Sequence, residues 1–90
     1  MTKGRVQQIR AALQSELSPE ALEIEDESHL HAGHAGARDG RGHFRVTIVT
    51  AEFVGLNRIQ RHRRVYTALG GLMQSDIHAL TIQAFTPEEL

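Results

Sequence analysis

An alternating apolar run, Phe44, Val46 and Ile48, is followed by helical periodicity over 58–73 and then by a second alternating run over 77–85. Two strands separated by a helix cannot close as a hairpin. A crossover of that kind lays them side by side in parallel, with a right-handed connection. That single arrangement limits the rest of the chain. An earlier run, Leu22–Glu27, puts Leu22 and Ile24 on one face and Glu23, Glu25 and Glu27 on the other, as in a half-buried strand with a wet acidic face. It is joined to Phe44–Val49 without an intervening helix, so these two strands are expected to pair antiparallel.

Helices fill the remainder. Val6, Ile9, Leu13 and Leu17 form one stripe over 3–17, with Ala12 beside it. Ser18-Pro19-Glu20 reads as a capped turn that starts with a serine N-cap. Asn57 with Gln60 three residues later reads as a capping box opening the helix over 58–73. Its apolar stripe is read as Ile59, Val65, Tyr66, Leu69, Leu72 and Met73, with Gly70-Gly71 weakening its last turn. On the last strand, parity groups His78 with Leu80, Ile82 and Ala84. Thr86-Pro87-Glu88-Glu89 is a second capping box. The order is α-β-β-α-β. It predicts an α+β two-layer sandwich: a three-stranded mixed sheet with helices on one face, in a single domain over 1–90.

Ninety residues without a cysteine exclude a disulfide scaffold, a thiolate zinc site, a cysteine nucleophile and an iron–sulfur cluster held by this chain's own sulfur. Net charge is −1, unevenly spread: residues 1–27 carry −3, residues 38–64 carry +5 and residues 65–90 carry −3. Only the middle suits an anionic partner. No run of about 18 apolar residues exists, so no membrane span is expected. The opening MTKGRVQQIR has no apolar core, so no secretory leader is expected, and a cytoplasmic location fits. No G-x-S-x-G, phosphate-binding Gly-rich loop or dinucleotide fingerprint is present, so the protein is read as a non-enzyme.

Six histidines are the compositional anomaly. Imidazole is the commonest metal ligand and changes charge near neutral pH. His29, His31 and His34 lie in the segment 29–42, which holds four Gly, three His and no large apolar residue except Leu30. Segments of that length without a pattern are usually functional or disordered. Its three imidazoles can bind zinc or nickel, or simply stand in water. His78 opens the last strand, either as a ligand or as a half-buried histidine bonded to backbone. His62 is read as packed among Ile59, Tyr66 and Leu69, and His43 as a packing or hydrogen-bonding residue. Arg58, Arg61, Arg63 and Arg64 crowd the start of the second helix, either as a solvated face or as a grip on phosphate or an acidic protein.

The blocks SPEALEIEDES, GHFRVTIVTAEFVGL, RIQRHRRVYTAL and IHALTIQAFTPEE resemble the BolA family over Val6 to Glu89, most specifically in Arg61-His62-Arg63 and Ile77-His78-Ala79-Leu80. The resemblance implies a class II KH-like fold and cytosolic partnership with monothiol glutaredoxins, with a 2Fe–2S cluster shared with glutaredoxin and glutathione. It implies His78 as a cluster ligand. A second comes from the loop, at His31 after the Glu27-Ser28 pair, with His34 and then His29 as rivals. Some bacterial members regulate transcription, and this would use the arginine-rich helix on DNA. The connection Val54-Gly55-Leu56-Asn57-Arg58 has one glycine where nucleic-acid-binding KH modules carry GxxG, so RNA binding is not expected.

Overall fold

The computed structural model describes residues 4–28 and 42–90. Helix α1 spans Arg5–Leu17, strand β1 Ala21–Asp26 and strand β2 Gly42–Val49. A 3-10 turn at Ala51–Phe53 leads to α2 (Arg58–Leu69) and the short α3 (Leu72–Ser75). Strand β3 spans Ile77–Phe85, and a final 3-10 turn covers Pro87–Glu89. The sheet order is β1-β2-β3, with β1 antiparallel and β3 parallel to β2. This is the α+β mixed sheet read from the crossover.

Burial follows the two periodicities. Ile9, Leu13 and Leu17 on α1, Val65 and Leu69 on α2, and Ile24, Phe44, Val46, Ile48 and Ile82 on the strands form one core. The opposite sheet face carries exposed Glu23, Glu25, Arg45, Thr81 and Gln83. The helices therefore cover one face of the sheet. Thr50, buried beyond the end of β2, donates its hydroxyl to Leu17 O at 2.8 Å and so ties the end of α1 to the sheet.

Three local expectations are corrected. Ser18 does not open a new helical turn. It ends α1 in the left-handed region (φ 45°, ψ 56°), its N–H bonded to Gln14 O at 3.2 Å, and the chain enters β1 three residues later. The second helix does not run to residue 73. Gly70, at φ 54°, terminates α2, its N–H bonded to Tyr66 O at 3.0 Å, and α3 starts afresh. Glycine reaches positive φ without a Cβ clash, which makes it a stop signal here rather than a weak helical residue. Ile59 and Tyr66 are not core residues. They are 62% and 41% exposed, whereas Val65 and Leu69 are buried. At 100° per residue, His62 lies about 40° from the centre of the buried arc, Tyr66 about 80° and Ile59 about 100°. His62 is accordingly half-buried at the margin of the packed face. The Asn57–Gln60 capping box is present as read, with both reciprocal hydrogen bonds at 2.9 Å.

Candidate functional site

The two groups of candidate residues stand at opposite ends of the sheet. Arg61 Nη1 donates to Ala84 O at 3.1 Å, so the start of α2 lies beside the end of β3. His78 lies six residues earlier on β3, about 20 Å away at 3.3 Å per residue.

At the histidine end, Gly42 pairs with Ile77 and His43 with Ala79, so His78 is the extra residue of a β-bulge. A bulge shifts the phase of a strand by one and re-aims a side chain. The consequence is visible in burial: Ile77 is buried, Ile82 five residues later is also buried, and His78 is exposed. The core-facing position expected for His78 is therefore corrected. Simple alternation ignores the bulge.

The same end holds both stems of the segment 29–41. Glu27 N–H donates to His43 O at 2.8 Å, His43 N–H to Ser28 Oγ at 3.1 Å, and Gly42 N–H to Asp76 O at 2.8 Å. Ser28 N–H in turn donates to Asp26 Oδ1 at 2.9 Å. The chain thus leaves the sheet at Ser28 and re-enters at Gly42, one residue pair from His78. The junction is tight. A Cβ on Gly42 would stand 2.6 Å from Phe44 Cε2 and 2.6 Å from Ser28 Oγ. Arg5 Nε also reaches Asp76 Oδ2 at 3.3 Å, bracing α1 against this end. His29, His31 and His34 lie outside the described residues. His43 is half-buried within β2. Among the described residues no three His, Cys, Asp or Glu side chains come together as a metal site.

At the arginine end, the four guanidinium groups divide in two. Arg61 donates from Nε to Leu56 O at 2.9 Å and holds both carboxylate oxygens of Glu89, at 2.7 and 2.9 Å. Its side chain is only 14% exposed and lies 6.0 Å from the Phe53 ring centroid. Hydrogen bonds from Arg61, then from Thr86 N–H, hold the Glu89 carboxyl at about 2, below its ordinary 4.5. Arg64 Nη2 meets Glu52 at 3.3 Å. Arg58 and Arg63 are exposed, and neither forms an ion pair among the described residues. Arg61, proposed from sequence as a phosphate contact, is thus committed within the fold.

Beside Arg61 lies an open cleft of about 580 Å³, bounded by the N-cap Asn57, by Arg58 and His62 on α2 and by Ile82–Phe85 on β3. Glu89 was not singled out from sequence. Its role depends on a contact across 28 positions, and only its place in the Thr86–Glu89 capping box was a signal. No helix among the described residues is long and apolar enough to cross a membrane.

Known proteins are similar to this chain in sequence and fold over nearly its whole length. The family model described as BolA-like protein matches residues 13–89. SufE-like protein 1 of Arabidopsis thaliana is 44% identical over 92 residues, covering 97% of this chain and 25% of that protein. Protein BOLA1, chloroplastic, of the same plant is 44% identical over 90 residues, covering 97% of this chain and 56% of that protein. The chain thus spans a quarter and just over half of these two relatives. The DNA-binding transcriptional regulator BolA of Haemophilus influenzae is 42% identical, covering 90% of this chain and 76% of that protein. The solved BolA domain of SufE1 from Arabidopsis thaliana superposes with a TM-score of 0.86 at 40% identity, covering 100% of both chains. The chain belongs to the BolA-like family.

Proposed function

We propose that this chain is a non-enzymatic, cytoplasmic partner of a monothiol glutaredoxin, and that it contributes imidazoles to a shared 2Fe–2S cluster. The observation that carries this reading is the position of His78: exposed on a bulge, at the sheet end from which the histidine-bearing segment 29–41 departs and to which it returns. His78 would be one ligand, and His31 or His34 the other.

The donor set fits a shared site and not a private one. Imidazole can replace thiolate on one iron of a 2Fe–2S centre. A chain without cysteine must take its sulfur ligands from elsewhere, here the glutaredoxin cysteine and glutathione. The bound cluster would supply one-electron redox chemistry and a visible chromophore. This chain's part is to present neutral imidazole. Because a protonated ring cannot ligate, the complex should weaken in acid. Adding the chain to cluster-loaded glutaredoxin with glutathione, and recording visible circular dichroism, tests the reading. A new spectrum that saturates at a fixed ratio supports it, and an unchanged spectrum rejects it.

A second reading, a DNA-binding transcription regulator, is favoured by one observation. Arg58 and Arg63 project from α2 without an ion pair among the described residues, and the Haemophilus relative bears that description. On this reading Arg58, Arg63 and Arg64 meet phosphates while Arg61 holds the helix in place.

A further inference from the structure

We infer that the outward stripe of α2, centred on Ile59, Arg63 and Tyr66, is a docking face for an acidic, partly apolar surface of the protein partner, engaged before any cluster is shared. The inference rests on the glutaredoxin reading for the partner's identity, and on the stripe itself for the chemistry.

Ile59 and Tyr66 are two of the few large apolar side chains left in solvent, at 62% and 41% exposure. They sit at i and i+7 with Arg63 between them at i+4, on one face and about 10 Å apart along the axis. Nothing in the core requires them to be apolar, since Val65 and Leu69 do the packing. Charge then selects the partner. Helix α2 carries four arginines and no acid. Glu89 and Glu52 neutralise Arg61 and Arg64, while Arg63 lies on the stripe beside Ile59, and Arg58, about 100° round the helix on the cleft side, stands at its edge; neither forms an ion pair among the described residues. An uncompensated cation beside an apolar centre, with a second at the edge, calls for carboxylates around an apolar patch.

A protein fits this face better than a nucleic acid does. Ile59 gains nothing from phosphate, and two free arginines neutralise too few phosphates for strong duplex binding. Tyrosine and arginine around a hydrophobic centre are the composition of protein hot spots. Position agrees with composition. The start of α2 lies by the end of β3, and the helix runs back through Tyr66 and α3 into Ile77 and His78. A protein seated on the stripe therefore extends toward the histidine end. A single helical stripe offers less than the roughly 800 Å² per partner of a stable complex, so the cluster-free complex is expected to be weak.

The test is calorimetric titration of cluster-free monothiol glutaredoxin into wild type, Ile59→Ser, Arg63→Glu and, as a control on the opposite sheet face, Glu23→Gln. All three substituted positions are exposed, and thermal melts would confirm folding. The expected result is salt-sensitive binding that falls at least tenfold in Ile59→Ser and in Arg63→Glu but not in Glu23→Gln. Equal binding by all four overturns the docking face and leaves the partner reading standing. Wild type that binds glutaredoxin neither with nor without cluster overturns both. Self-association of this chain that Ile59→Ser abolishes, or binding of a DNA duplex that Arg63→Glu abolishes while glutaredoxin binding is unchanged, assigns the stripe to another occupant and also overturns it.

Discussion

Arg61 and Glu89 meet fork to fork, with Nη1 donating to Oε1 at 2.7 Å and Nη2 to Oε2 at 2.9 Å. The same guanidinium bonds Leu56 O and Ala84 O, so one side chain joins the approach to α2, the end of β3 and the final turn. Glu89 also accepts Thr86 N–H at 2.8 Å. Arginine suits this place because its planar donors match a carboxylate bidentately, which lysine cannot do.

The pair makes stability depend on pH in a defined direction. Glu89 titrates at about 2 in the folded chain against an ordinary 4.5. A depressed carboxyl contributes fully above its unfolded value and loses that contribution as pH falls toward the folded one. Urea midpoints measured from pH 6 down to pH 2 should therefore fall more steeply in wild type than in Glu89→Gln. Parallel curves would remove Glu89 from the acid sensitivity. Glu89 is 42% exposed, so added salt should shrink the difference.

Gly42 is the tightest point at the histidine end. Gly42→Ala would press a methyl group against the Phe44 ring and Ser28 Oγ, both inside contact distance. Overpacking of this kind costs about 1–3 kcal/mol. The displaced Ser28 would also loosen its bond with His43 N–H. Gly42→Ala should lower the melting temperature and weaken cluster sharing together, whereas Gly4→Ala, in open space, should do neither.

The DNA reading carries its own signature. If Arg58 and Arg63 contact phosphates, the logarithm of affinity should fall with the logarithm of salt by about 0.9 per neutralised phosphate. Arg63→Ala should flatten the slope by about one contact and weaken all duplex sequences alike. Electrophoretic or fluorescence titrations at several salt concentrations would show this. A slope indifferent to Arg63 would remove α2 from the DNA interface.

What could be read in the sequence was whatever local periodicity determines. The helix between two alternating runs gave the parallel pairing, and Asn57 with Gln60 gave the start of α2. What could not be read depends on contacts or phase across the fold. The bulge at His78 is one such feature: Ile77 and Ile82 are an odd number of residues apart and both buried, which simple alternation does not allow and only the packed strand reveals. The phase of α2 was misjudged because apolar character alone does not separate a core valine from a surface isoleucine. Sequence alone leaves Arg61 a surface cation, because Glu89 lies 28 positions away. His31 and His34 lie outside the described residues, so the second ligand still rests on the resemblance in sequence.

The most direct test of the central claim is the visible circular dichroism of the cluster-bearing mixture with His78→Ala in place of wild type. His78 is exposed on its bulge, so the variant should fold normally, as surface changes usually cost within about 0.5 kcal/mol. With glutaredoxin and glutathione held constant, the wild-type chain is expected to impose a spectrum that His78→Ala does not reproduce. His31→Ala and His34→Ala, measured alongside, would identify the second ligand. A His78→Ala mixture whose spectrum and cluster lifetime match wild type would contradict the account.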